Sequence, residues 1–468
     1  MVFSSAVFLF IFLPVVWLLH AVIPAEYIRL RNVLLGIASV VFYAYGEPVY
    51  ILLMIGSVLL NYAAARLIDR AAESGQYGTK TALTVGAVVV NLGILAFFKY
   101  IPWLLSLTVG ENPLAALSLP VGISFYTFQI LSYVIDVSRG RARVQKNFFN
   151  LFLYISFFPQ LIAGPIVTYD QMESQLTERR MTLDGTADGI RRFIFGLSKK
   201  LLVANTAAVL ADAAFAADSP SSLFAWCGAA AYCLQIYFDF SGYSDMAIGL
   251  AALFGFRIGE NFRYPYAAVT IRDFWKRWHI SLTSWFREYV YIPLGGNRGS
   301  PARTVLNRYI VFFLTGLWHG ANFTYIVWGL WHGTLMMFER VVHLEKLAEK
   351  KLLRPLLRIY TLLCVLVGFV VFRADRLTAA FSYLDAMFSF GGSPADVMRY
   401  LDPWTLLLLG VGVVLSAPLL RWIRQKATDG GWAHGWRIAE FALSVPLFAL
   451  CVMTLASSTF NPFIYYIF

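Results

Sequence analysis

SLFAWCGAAAYCLQIYFDFSGYSDMAIGLAALF, residues 222–254, carries two aspartates and no basic residue. A helix needs about 20 largely apolar residues to cross a bilayer, and this run exceeds that length. Similar runs recur at 2–22, 32–46, 49–65, 81–98, 119–137, 149–168, 186–216, 305–319, 322–338, 354–372, 403–423 and 439–468. Some are too short for one span and some too long, so tilted or re-entrant segments are expected. The whole chain of 468 residues is 59% hydrophobic and 14% charged, against about 45–50% and about 25% in soluble globular proteins. It holds too little charge to cover a soluble surface of its size. These features predict an all-α polytopic membrane protein with about 9–13 membrane helices on the length rule. The first run lacks a basic n-region and a small-residue cleavage site, so it reads as a retained helix and not a signal peptide.

The net charge of +11 would suggest nucleic acid in a soluble protein. Here the Lys and Arg residues lie between apolar runs, which fits the positive-inside bias and contact with membrane lipid headgroups, not nucleic-acid binding. Loops 23–31, 66–80 and 138–147 carry the basic residues Arg29, Arg31, Arg66, Arg70, Lys80, Arg139, Arg141, Arg143 and Lys146. The intervening loops 46–48 and 99–118 carry almost none. Basic loops face the cytoplasm, so the N-terminus is expected outside. Residues 257–304 are basic and aromatic but not apolar enough to span, which predicts a membrane-hugging or partly re-entrant segment. The cysteines Cys227, Cys233, Cys364 and Cys451 lie in apolar runs without a CxxC pair and read as inert buried residues.

Ionisable residues inside a membrane are costly, so each is a functional candidate. Of six histidines, three fall close together: His279, His319 and His332. His279 lies in Asp273-Phe-Trp-Lys-Arg-Trp-His279, an amphipathic stretch that alone reads as an interfacial helix. His319 ends an apolar run between Gly316 and Gly320, a pattern that also suits helix packing. A neutral imidazole there can serve as a general base. The pentapeptide Gly316-Leu-Trp-His-Gly320 recurs as Gly329-Leu-Trp-His-Gly333. On one continuous helix His319 and His332 would differ by about 220° and about 20 Å. The break at Gly320-Ala-Asn322 argues for two helices, which leaves their relation open and ranks His332 below His319. Asp239 and Asp245 are embedded carboxylates that need partners. No HxH, HxxxH or HExxH spacing supports a metal site, and no nucleophile elbow, P-loop or dinucleotide fingerprint is present. No bound cofactor is expected.

At these residues the sequence resembles the membrane-bound O-acyltransferase (MBOAT) superfamily, and within it the bacterial branch that acetylates alginate. Matching segments are Met1-Val-Phe-Ser-Ser, Ser124-Phe-Tyr-Thr-Phe-Gln129, Phe157-Phe-Pro-Gln-Leu-Ile-Ala-Gly-Pro165 and Gln235–Asp245. The most specific are Asp273-Phe-Trp-Lys-Arg-Trp-His279, Tyr291-Ile-Pro-Leu-Gly-Gly-Asn297 and Leu317-Trp-His-Gly-Ala-Asn322, with Val371-Phe-Arg-Ala-Asp375 near the end. The resemblance implies one membrane domain over 1–468, with a core at 119–340 between N-terminal helices 1–100 and C-terminal helices 354–468. Its fold would be a helical ring around a central funnel. It also implies an acyltransferase that moves an acetyl group, with acetyl-CoA as donor, across the membrane toward an exopolysaccharide such as alginate. A separate periplasmic protein of the SGNH-hydrolase type would complete the transfer.

The resemblance makes His319 the catalytic histidine and His279 a second active-site residue. Trp278, Trp318, Asn322, Asp245 and Arg277 are weaker candidates for holding donor or acceptor. Two other readings compete: a D-alanyl transferase for teichoic acid, which shares both histidine motifs, and a polysaccharide transporter using the histidines as a proton relay. The Ile292–Asn297 run and the short gap between His279 and His319 favour the alginate branch. The repeated pentapeptide is too short for a transporter's internal repeat.

Overall fold

The computed structural model describes residues 1–108, 114, 117–389, 391, 393, 395–457 and 463; parts of the 99–118 loop and of the final apolar run lie outside these residues. Among the described residues the regular structure is entirely helical. Six helices are long and apolar enough to cross a membrane: Tyr50–Glu73, Tyr77–Lys99, Leu183–Ala216, Ser222–Leu253, Lys351–Arg373 and Ala433–Ser457. A seventh arises if Pro403–Ser416 and Leu419–Asp429, bent by 60°, count as one span. The expected range of 9–13 also included shorter runs, which fold as helices such as Ile28–Ala44, Ile123–Arg139, Pro301–His319 and Phe323–Val341. The chain is an all-α, multi-pass membrane protein made of two units.

The first unit comprises residues 1–193 and 244–259. Its Tyr50–Glu73 and Tyr77–Lys99 helices form a hairpin turned at Gly75, whose φ of 69° suits glycine. Buried Asn61 and Asn91 bind each other across that hairpin, amide to carbonyl in both directions, at 3.0 and 2.8 Å. Such reciprocal pairs join helices where lipid offers no polar partner. Phe3, Phe8, Phe12, Phe42 and Phe158 pack edge-to-face and tilted around one centre. Arg192 binds Asp245 at 2.8 Å in this unit.

The second unit comprises residues 194–243 and 260–468. Here a π-helical segment, Lys199–Ala204, interrupts the long Leu183–Ala216 helix. That segment carries Lys200, which forms a fully buried ion pair with Asp239 of the Ser222–Leu253 helix. The unit's centre is a hairpin of the Pro301–His319 and Phe323–Val341 helices, and the repeated pentapeptide explains how closely they meet. A Cβ on Gly316 would lie 2.3 Å from the Tyr325 carbonyl oxygen, and one on Gly329 would lie 2.2 Å from that of Phe312. The two glycines therefore let the backbones touch at the crossing. A Gly329→Ala variant forces them apart, and overpacking of this kind costs about 1–3 kcal/mol. Its thermal midpoint in detergent should fall well below wild type. Gly86→Ala, whose Cβ would meet nothing within 4 Å, should not fall; equal midpoints for the two variants would refute the crossing argument.

Candidate active site

His319 is the last residue of its helix, and the chain turns immediately. Gly320 is extended (φ 179°), and a Cβ there would stand 2.3 Å from the Tyr325 ring. Asn322 then starts the next helix, its side-chain oxygen accepting the Thr324 N–H at 3.1 Å. Its amide donates to the Asp375 carbonyl at 2.8 Å. The break therefore makes two antiparallel helices of what the sequence left ambiguous. As a result His319 and His332 flank the same Trp328 ring, with centroids 5.1 and 5.2 Å away. Trp318 at 5.1 Å and Phe372 at 5.2 Å complete the walls around His319.

His279 arrives from a different direction. It lies between two short helices, Ile271–Trp275 and Ile280–Phe286, where the expected amphipathic segment breaks. Its backbone is left-handed, with φ 43° and ψ 54°, a region that a residue with a Cβ rarely adopts. Neighbouring contacts hold it there. The Ile280 N–H donates to the Asn261 carbonyl at 2.9 Å. The buried Asn261 side chain accepts from Ser281 N–H at 3.2 Å and its hydroxyl at 2.9 Å. One step outward, Arg263 N–H donates to the Arg277 carbonyl at 2.9 Å. The turned backbone aims the buried imidazole at Phe240, 4.7 Å away, and at Trp318, 5.8 Å away.

Trp318 thus touches both histidines, and the sum of its two centroid distances bounds their separation. The site is a buried aromatic chamber wall with two imidazoles on one indole. Trp278 is buried behind it, packed on Phe262, Phe274 and Phe369.

Two of the other sequence candidates are held in ion pairs. Arg277 donates to Asp273 at 2.8 Å. Asp245 belongs to the first unit, where Arg192 binds it. The sequence reading ranked His332 low and missed Trp328 and Phe372, the walls of the chamber; the repeated Leu-Trp-His was the signal for both His332 and Trp328. It also missed Glu339, whose carboxylate accepts the N–H groups of Ile271 at 2.6 Å and Arg272 at 3.3 Å. Glu339 so fixes the start of the segment that carries His279. An acid at the end of an apolar helix was its only mark. Among the described residues no three His, Cys, Asp or Glu side chains are grouped to hold a metal ion.

Residues 88–375, which contain every residue of the chamber, match the family of membrane-bound O-acyltransferases. The chain is 40% identical to a probable alginate O-acetylase of Azotobacter vinelandii over 506 residues, covering 100% of both chains. A probable alginate O-acetylase of Pseudomonas aeruginosa is 45% identical, over 84% of this chain and 75% of its own. A peptidoglycan O-acetyltransferase of Helicobacter pylori is 35% identical, over 84% of this chain and 80% of its own. A buried two-histidine chamber inside the matched segment of a multi-pass chain accords with that likeness, and the protein is an acyltransferase belonging to the membrane-bound O-acyltransferase (MBOAT) family.

Proposed function

We propose that this membrane O-acyltransferase takes an acetyl group from a cytoplasmic thioester, acetyl-CoA, and passes it across the inner membrane toward an exported polysaccharide, alginate first. The observation that carries the reading is the pair His279 and His319, brought from separate segments onto the Trp318 ring. The relatives named for alginate and peptidoglycan acetylation support an acetyl group and a cell-envelope polymer.

In this reading the His319 imidazole accepts the proton of the acceptor hydroxyl as its oxygen bonds to the thioester carbonyl carbon. The carbon–sulfur bond then breaks, and the imidazolium returns the proton to the leaving thiolate. His279 supplies a hydrogen bond to the developing oxyanion or orients the acceptor. Trp278, Trp318 and Asn322 shape the space and exclude water, which strengthens each polar interaction inside it. A periplasmic partner of the SGNH-hydrolase type receives the acetyl group and delivers it to the polymer, with the N-terminus of this chain on the same face.

A deletion strain tests the reading against a transport role. Exported polymer is quantified and its acetyl content measured. Lost acetyl with normal export supports the transferase; lost export sinks it.

A further inference from the structure

The far end of the site hairpin lines an open surface cleft of about 390 Å³, within the range of small-ligand sites. Arg308 lines it from one helix and Arg340 from the last turn of the other, with His343 and Lys346 from the connection beyond. Two carboxylates line it as well, and both are engaged, Glu345 by Arg272, which is itself part of the lining. Glu345 accepts Arg272 Nη1 with both oxygens, at 2.7 and 2.8 Å. Glu339 holds the Ile271 and Arg272 N–H groups, and burial pushes its carboxyl up to about 7. Among the described residues, Arg308, Arg340 and Lys346 form no ion pair with either. The surplus charge in the cleft is therefore positive.

His343 stands exposed on the lining with a left-handed backbone, φ 55°. Its Nδ1 lies 3.0 and 3.1 Å from the carbonyl oxygens of Arg340 and Val341. Those are acceptors, so Nδ1 carries the proton, and Nε2 meets a phosphate oxygen as a donor only in the imidazolium form.

We infer that this cleft binds phosphate, with Arg308 and Arg340 as its principal contacts. Guanidinium groups match phosphate oxygens in bidentate geometry. Two molecules present that chemistry to a membrane protein: a nucleotide-bearing thioester donor and an anionic lipid headgroup. Arg308 precedes His319 by eleven residues on one helix, about 16 Å along the axis. A donor with phosphates at one end and a thioester at the end of a long pantetheine arm suits that separation. Assigning the phosphate to the donor rests on the acetyl-CoA reading above; phosphate binding itself does not.

The test uses purified full-length protein in nanodiscs. In discs of zwitterionic lipid, adenosine 3′,5′-bisphosphate is titrated by calorimetry. In discs containing phosphatidylglycerol, lipid retention is read by native mass spectrometry. Wild type should bind at least one of the two. Arg308→Ala with Arg340→Ala should weaken that binding about 100-fold, since each charge-assisted hydrogen bond is worth about tenfold or more. Arg308→Gln with Arg340→Gln keeps the stems and gives the same readout if the alanine pair does not fold. Nucleotide binding assigns the site to the donor and lipid retention to the headgroup. Neither ligand binding wild type, or wild-type affinity in the glutamine pair, overturns the inference. The same titration in His319→Ala protein should match wild type. Failure of the transferase reading would show as lost polymer export in the deletion strain, and would leave the binding result standing.

Discussion

Polymer acetylation should fall to background in a His319→Ala strain, while the protein should remain in the membrane at its normal level. The imidazole is the general base of the proposed transfer, and a positioned base contributes about 10²–10⁴-fold to rate. The walls around it, Trp318, Trp328 and Phe372, are untouched by the substitution. Because His319 is almost fully buried, the smaller side chain leaves a cavity, so protein level is measured beside acetyl content. His319→Gln fills more of that space and should be just as inactive. Acetylation at the wild-type level in either strain would remove His319 from the chemistry. His279→Asn should lower acetylation less severely, as expected of a group that orients or stabilises without taking the proton.

Lys200→Ala should destabilise the protein by about 3–5 kcal/mol, the cost of leaving one member of a buried ion pair behind. Both side chains are nearly inaccessible, at 3% and 2%, and Lys200 also lies 4.6 Å above the Phe463 ring. The lost cation leaves Asp239 charged in an apolar setting or forces it to take up a proton. Removing both charges relieves that penalty, so Lys200→Met with Asp239→Leu should recover much of the loss. Thermal unfolding of detergent-purified protein reads both variants. A single variant as stable as wild type, or a double variant no better than the single, would show that the pair does not act as a unit.

The apolar runs and the thin supply of charge made the membrane class and the all-helical fold plain from composition. Histidine type and position picked out His279 and His319 because a buried imidazole in such a chain has a cost. What sequence did not show was how the chain turns. Nothing in Arg-Trp-His-Ile-Ser announces a left-handed histidine, because the contacts that enforce it come from Asn261 and Arg263, far back in the chain. The crossing at Gly316 and Gly329 was visible as a repeat, but its geometry depends on which carbonyls face it. Asp245 is a carboxylate in an apolar run that needs a partner. Its partner, Arg192, lies 53 positions earlier, a pairing that depends on tertiary packing. Long-range contacts, not local propensity, decide these pairings.

The left-handed backbone at position 279 has a consequence for how the protein evolves and how it is engineered. Selection for thermal robustness alone would favour glycine or asparagine there, since both occupy that conformation at lower cost. The histidine ring, however, is fully buried against Phe240 and Trp318, so a smaller residue would relieve the backbone and leave a cavity. Backbone and packing therefore pull in opposite directions at this position.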